Sequence, residues 1–245
     1  MRKIGFQIAK GGVGKTTSAG HIALGVSLRG KKVLAVDADP QGNLTSWLSI
    51  HAPKYELSDV LNEIATLEQA IIPLTGNLSL LPTFAHGSTL RDFAELKLLQ
   101  RPFTFRALVK NIETLGFDFV VFDMSPGSSS LEKMIIAALD EIITPLTPEF
   151  FSVDGLTTFV ETLSWINKNL EGNVKHERII LNNFNRSFAQ HLLFSEEIKR
   201  LKYHIYTIAQ ERPLADGQKD HLTAWDIRSK NIPEFERLAA DLLGV

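Results

Sequence analysis

The sequence predicts an α/β protein built on a mostly parallel, twisted sheet with helices on both faces. Three observations carry that prediction. Short apolar runs alternate with helix-periodic stretches from end to end, the pattern of a parallel sheet covered by helices. The runs are almost continuously apolar, as strands buried on both faces must be. Several of them end in a polar residue or proline, which places polar chemistry at the carboxyl ends of the strands.

The elements follow in order. "KIGFQIA" (Lys3–Ala9) reads as the first strand, and "TTSAGHIALGVSL" (Thr16–Leu28) as a helix with Ala19, Ile22, Ala23 and Val26 at i, i+3, i+4, i+7. Gly20 and Gly25 in that helix suggest close packing against the sheet, and Gly30 suits its end. "KVLAVDAD" (Lys32–Asp39), "FDFVVFD" (Phe117–Asp123), "EIITPL" (Glu141–Leu146) and "RIILNN" (Arg178–Asn183) are further strands, by their shortness and β-branched content. Helices are expected in "STLRDFAELKLL", "FTFRALVKNIETL", "SLEKMIIAALD", "VDGLTTFVETLSWINKNL" and "AQHLLFSEEIKRL". A closing helix in "PEFERLAADLL" turns Phe235, Leu238, Ala239 and Leu242 inward. No repeat, low-complexity stretch or linker interrupts the series, so one domain spanning residues 1–245 is expected.

Composition sets limits. The 245 residues are 44% hydrophobic and 22% charged, with a net charge of −2, so any nucleic-acid contact must come from a local patch. The absence of cysteine excludes disulfides, iron–sulfur clusters and thiolate zinc sites. No run of about 18 apolar residues suggests a membrane span. The opening Met1-Arg2-Lys3 leads directly into a strand rather than a signal peptide, and a cytoplasmic protein is expected.

The chemistry concentrates in "AKGGVGKTT", between the first strand and the first helix. Gly11, Gly12 and Gly14 let the backbone wrap a phosphate, with the N–H of Val13 in the same turn, and the helix start presents positive dipole to it. Lys15 is placed to reach the β- and γ-phosphates, Thr16 to ligate Mg²⁺ and Thr17 to bond the α-phosphate. The frame is therefore that of a three-layer P-loop NTPase fold with ATP and Mg²⁺ as cofactors. Asp123 ends an apolar strand, where an aspartate holds Mg²⁺ through water. Asp37 and Asp39 end another, and an aspartate there orients the attacking water or the metal's water shell; a plain turn is the alternative. "DMSPGSSS" after Asp123 suits a switch loop near the γ-phosphate.

One position breaks the pattern G-x-x-x-x-G-K-[ST]: Ala9 stands where its first glycine belongs, followed by an additional lysine, Lys10. Together with "VLAVDADPQGNLT", "FDFVVFDMSPG", "ITPLTPEFFSVDGL" and "LNNFN", in that order over nearly the whole chain, this loop resembles the deviant Walker-A ATPases of the ParA and MinD type. The resemblance implies that Lys10 is the signature lysine reaching a partner subunit's phosphates in an ATP-dependent homodimer. It gives Asp39 a role in activating water and Asp123 one at the metal. It sets Asn182 near adenine and Glu149 at the dimer face. Turned asparagine and solvated glutamate remain the plainer readings of those last two.

Three outputs compete. Positioning of a plasmid, chromosome or other large cargo on the nucleoid requires non-specific DNA binding and a ParB-like or other small activating partner. Lys175–Lys230 holds ten Lys/Arg against seven Asp/Glu, and Arg186, Lys199, Arg200 and Lys202 read as a cluster around one helix end, or as a solvated mixed-charge face. Membrane positioning of the MinD kind needs a basic amphipathic tail, whereas "IPEFERLAADLLGV" carries Glu234, Glu236 and Asp241 against Arg237; no membrane partner is expected. A metabolic enzyme of the dethiobiotin-synthetase type has no use for Lys10. "IAQERPL" departs from the family's late loop, which puts that loop's contacts in doubt. The chain begins at the first strand, so a preceding helix-turn-helix domain is not expected. The first output is the preferred reading.

Overall fold

The computed structural model describes residues 1–49, 51–149 and 152–245. Its strands are β1 (Arg2–Phe6), β2 (Val33–Ala38), β3 (Ile72–Thr75), β4 (Leu78–Leu81), β5 (Phe119–Met124), β6 (Glu141–Leu146), β7 (Lys175–Phe184) and β8 (His204–Ala209). They form one sheet in the order β3-β4-β2-β5-β1-β6-β7-β8. Every pairing is parallel except β3 with β4. The helices are α1 (Lys15–Ser27), α2 (Asn43–Leu48), α3 (Leu57–Leu61), α4 (Leu67–Ala70), α5 (Leu90–Leu96), α6 (Thr104–Thr114), α7 (Ser130–Ile136), α8 (Ser152–Asn169), α9 (Ala189–Lys199), α10 (Arg212–Asp216) and α11 (Ile232–Leu243).

The strands are apolar because both faces are covered. Along β5, Phe119 and Val121 pack with α1 and α11, while Val120 and Phe122 pack with α3, α5, α6, α7 and α8. The result is three layers, as the sequence predicts. Phe235, Leu238, Ala239 and Leu242 of α11 are all buried.

The five strands read from sequence are present, with ends moved by up to three residues. Three more were not foreseen: the β3–β4 hairpin and β8. The helix expected over 130–140 stops at Ile136. Gly20 and Gly25 make close approaches to neighbouring helices rather than to the sheet. A Cβ on Gly20 would lie 2.2 Å from the Trp47 ring, and one on Gly25 3.4 Å from Ala239 and Trp225.

Two further features tie α11 in place. Arg178 on β7 pairs with Glu141 on β6 at 2.5 Å and with Asp241 on α11 at 2.7 Å, and Arg2 also reaches Glu141 at 2.9 Å. The outer edge of β8 is closed by side chains spaced i, i+3, i+6 along α11 and its cap. Asn231 accepts from the Ala209 N–H at 2.7 Å and donates to the Ala209 carbonyl at 3.0 Å. Glu234 accepts from the Thr207 N–H at 2.7 Å, and Arg237 donates to the Ile205 carbonyl at 2.6 Å.

Chain order reverses direction across the sheet at β1, between β5 and β6. In open parallel sheets a crevice opens at such a point, beyond the strand carboxyl ends. The glycine-rich loop leaves β1 there.

Candidate functional site

Residues 7–14 join β1 to α1, and the conformation of the glycine loop within them is set by its neighbours. Gly14 caps α1 with φ 92°, a left-handed backbone that glycine adopts without strain. A side chain there would also strike Asn182, whose Nδ2 would lie 2.1 Å from an added Cβ. Asn182 is aimed at the loop by an irregularity in β7, where the register with β8 shifts between Leu181 and Phe184 and Asn183 takes φ 56°. The Asn182 amide donates to the Val13 carbonyl at 2.9 Å, so it braces the loop. The Val13 side chain is buried with Ile8, Leu146 and Leu181.

Lys15 is almost fully buried, and its ammonium donates to the Lys10 carbonyl at 2.9 Å. Burial pushes its pKa down, against the pull of Asp123, Asp39 and Glu132. The Thr17 hydroxyl accepts from Gln218 Nε2 at 2.8 Å. The Thr17 carbonyl lies 2.7 Å from Nδ1 of His21, whose Nε2 accepts from the Ala224 N–H at 2.9 Å. His21 therefore carries its proton on Nδ1, and burial lowers its pKa to about 4.

Three aspartates stand at the neighbouring strand ends, in different states. Asp37 is fully buried and accepts at 2.7 Å from both the backbone and the hydroxyl of Thr45, and at 3.3 Å from the Asp39 N–H. Burial still raises its pKa to about 7. Its role here is to anchor the start of α2. Asp39 accepts from the Gln41 N–H at 2.9 Å and lines the crevice, with its pKa raised by burial. Asp123, paired in register with both Phe6 and Asp37, is 0% exposed. Neither of its carboxylate oxygens has a hydrogen-bond partner. Burial, then the nearby Asp37, raises its pKa well above the ordinary carboxylate value, and the adjacent Thr16 hydroxyl offsets this only in part.

The crevice has a volume of about 750 Å³ and runs from Gly11–Thr17 and Asp39 across to Trp47, Gln218 and His221. A second cleft of about 500 Å³ adjoins it, between Asp39, Arg91 and Glu95 on one side and Ser125–Glu132 on the other. Loop 125–129 lies along the second cleft, and its Pro126 lines both. Glu132 holds it by accepting from the Ser125 hydroxyl and, at 2.7 Å, from the Ser129 N–H.

The structure brings together Gly11, Gly12, Val13, Gly14, Lys15, Thr16, Thr17, Asp39 and Asp123. Lys10 stands at the rim, one-third exposed, in an ion pair with Glu149 of the same chain. That pair holds the Glu149 carboxyl below its ordinary pKa. Phe150 and Phe151 of "ITPLTPEFFSVDGL" lie outside the described residues.

The basic group needs correction. Arg186 precedes α9, on the crevice side of the sheet, whereas Lys199, Arg200 and Lys202 lie at the helix's other end, where β8 begins. They do not form one cluster, and Lys199 is paired with Glu196 at 2.8 Å. Gln218 and His221 were missed because they enter from a turn some 200 residues away in the chain; nothing in their local sequence signals a crevice.

A glycine cradle, a buried lysine at a helix start and a buried aspartate, all at the sheet's reversal point, define a P-loop nucleotide-binding protein. The AAA domain family model matches residues 1–176. An uncharacterised protein of Borreliella burgdorferi is 36% identical over 242 residues, covering 97% of this chain and 98% of that one. The chromosome partitioning protein ParA of Caulobacter vibrioides is 30% identical over 193 residues, covering 76% of this chain and 71% of that one. A putative plasmid partition protein of Borrelia burgdorferi bound to AMPPNP superposes with a TM-score of 0.83 at 26% identity, over 100% of this chain and 99% of that one. The chain belongs to the ParA-type family of P-loop ATPases.

Proposed function

We propose that residues 1–245 form a single ATPase domain that dimerises with ATP, binds DNA non-specifically in that state and positions a plasmid, chromosome or other large cargo. The observation that carries the nucleotide chemistry is Asp123. A buried carboxylate with no donor is costly unless it is protonated or meets a cation, and this one sits beside Thr16 and Lys15 at the foot of the glycine loop. These residues fit Mg²⁺, which when bound neutralises charge on the β- and γ-phosphates. Thr16 would ligate the ion, and Asp123 and Asp39 would hold its water shell.

The remaining roles follow from position. The N–H groups of Gly11 to Gly14 surround the phosphates, and Lys15 turns from the Lys10 carbonyl to the β- and γ-oxygens. Thr17 donates to the α-phosphate, since Gln218 already occupies an acceptor position on its hydroxyl. Asp39 orients the attacking water. Asn182 holds the loop's shape beside the nucleotide, near the base. Lys10, at the exposed rim, exchanges Glu149 for the phosphates of a second subunit, and Glu149 lies on the same face.

DNA rather than lipid is the favoured surface because the apolar face of α11 is packed inside the fold, and Glu234, Arg237 and Asp241 are engaged with β8 and Arg178. Among the described residues, no helix is long and apolar enough to cross a membrane. Arg186, Lys199, Arg200 and Lys202 are the DNA contacts proposed, now as two separate sites. The family supports ATP hydrolysis; we add that it is slow, stimulated by a ParB-like or other small partner, and takes place in a nucleoid-associated cytoplasmic pool.

The test is the size of an Asp39→Ala variant with and without ATP and Mg²⁺. A dimer with ATP and a monomer without it is expected, and a monomer at saturating ATP would overturn the switch. DNA affinity of the ATP form should fall linearly on a log–log plot against salt; no binding at low salt removes the nucleoid reading.

A further inference from the structure

Gln7 is a buried polar side chain that the phosphate chemistry leaves unused. It follows β1 directly, is 1% exposed, and precedes the glycine loop by three residues. Both ends of its amide are engaged. Oε1 accepts from the Ile8 N–H at 3.0 Å, and Nε2 donates to the Gly127 carbonyl at 2.7 Å. Its own carbonyl accepts from the Thr144 hydroxyl at 3.2 Å, and its N–H donates to the Ile143 carbonyl at 3.3 Å. The side chain is thus fixed to the central strands and reaches out to one distant point.

That point is the middle of loop 125–129. Gly127 has φ 135°, a conformation open essentially to glycine, and its carbonyl faces the strand that feeds the phosphate loop. Pro126 beside it lines the nucleotide crevice, and the serines around it line the second cleft. Glu132 restrains the ends of this loop, and Gln7 restrains its centre. A glycine-rich phosphate loop has no chemical need of a glutamine at this place, and an apolar residue would fill the space without a buried polar group to satisfy.

We infer that Gln7 is a positioning residue for hydrolysis. Its Nε2–H···O bond registers loop 125–129 against the start of the phosphate loop, so that the loop stands correctly over the γ-phosphate side of the crevice. The inference rests on the ATPase reading above. It assigns Gln7 no contact with nucleotide or metal.

Two substitutions separate its two bonds. Gln7→Met has nearly the same shape and makes neither. Gln7→Glu, assayed at a pH high enough to ionise it, keeps an acceptor for the Ile8 N–H and loses the donor to Gly127. In both, turnover at saturating ATP and Mg²⁺ should fall about tenfold, roughly the factor that one hydrogen bond supplies. KM and the affinity for a fluorescent ATP analogue should stay within about twofold of wild type, because uniform binding is untouched. Amide exchange in residues 125–130 should quicken while that of α1 does not. Wild-type behaviour of Gln7→Glu beside a defective Gln7→Met would show that only the bond to Ile8 matters, and would overturn the inference. So would a parallel loss of nucleotide affinity, or unchanged turnover and exchange in both variants. Absence of ATP turnover in the wild type would instead remove the ATPase reading, and the exchange measurement would still decide whether Gln7 holds the loop.

Discussion

Replacing Asp123 with asparagine should make the nucleotide-free protein more stable, although it removes a residue from the centre of the site. Asp123 is wholly buried, and neither oxygen is hydrogen-bonded, with only the adjacent Thr16 hydroxyl and the Lys15 ammonium nearby to offset its charge. An ion in that position costs several kcal/mol even after relaxation. An amide of the same shape, left equally unpaired, costs about 1–3 kcal/mol. The difference is a gain of about 1–3 kcal/mol at pH 8, or about 2–12 °C in Tm at 2–4 °C per kcal/mol for a chain of this size. The gain depends on pH with a definite sign. Folding raises the pKa of Asp123, so the folded state binds the proton more tightly than the unfolded state. Wild-type stability is therefore undiminished below the unfolded value of 3.8 and is lost as pH rises through the folded pKa. The asparagine variant lacks this loss, so its advantage should be large at pH 8 and small at pH 4. The assay is paired thermal or urea melting of wild type and variant, without nucleotide or Mg²⁺, across that range. Destabilisation at pH 8, or an advantage that does not change with pH, would refute the reasoning. With ATP and Mg²⁺ present the order should reverse, because ligand binding stabilises only the protein that binds it.

Three other outcomes are expected. Arg178→Ala should destabilise by about 3 kcal/mol, read by urea melting, because Glu141 stays buried with only Arg2 and Asp241 keeps only the Tyr206 hydroxyl. Lys10→Ala should leave nucleotide affinity near wild type by fluorescence titration but abolish partner-stimulated turnover, a trans cation being worth about 10³–10⁵ in rate where measured. His21 has its pKa lowered to about 4, so it contributes stability above pH 6.5 that is lost as pH falls toward 4. His21→Gln should melt with a weaker acid dependence in that window.

The parts of this site that were legible in the sequence are those whose chemistry needs neighbouring residues. A phosphate cradle requires glycines, a lysine and a hydroxyl within one turn, so Gly11 to Thr17 announce themselves. Asp123 was legible because an apolar strand ending in a charge places that charge beyond the sheet. Strand β8 was not, since "HIYTIA" alternates exposed and buried positions and lies at an edge, unlike the continuous apolar runs of the centre. The β3–β4 hairpin was hidden by strands of four residues, one containing Pro73. Asn182 was legible as a site residue, but its bond to the Val13 carbonyl was not: the bulge at Asn183 turns it onto the loop backbone, which no periodicity encodes. The pairing of Lys10 with Glu149 and the reach of Gln7 to Gly127 each join residues more than 100 positions apart. Such contacts exist only once the sheet order is set. The basic residues misled because their closeness in sequence spanned the whole length of α9.

The sealing of β8 by Asn231, Glu234 and Arg237 bears on how copies of this protein can meet. An open strand edge templates addition of further strands, the route to fibrils and swapped dimers. Here alternate backbone groups of that edge are already satisfied by α11, so neither a nascent chain nor a neighbouring molecule finds a ladder to extend. The ATP-dependent dimer proposed above would then have to form through other faces than this edge. Clipping α11, by protease or by an ill-placed truncation, would uncover that edge and leave a template for aggregation.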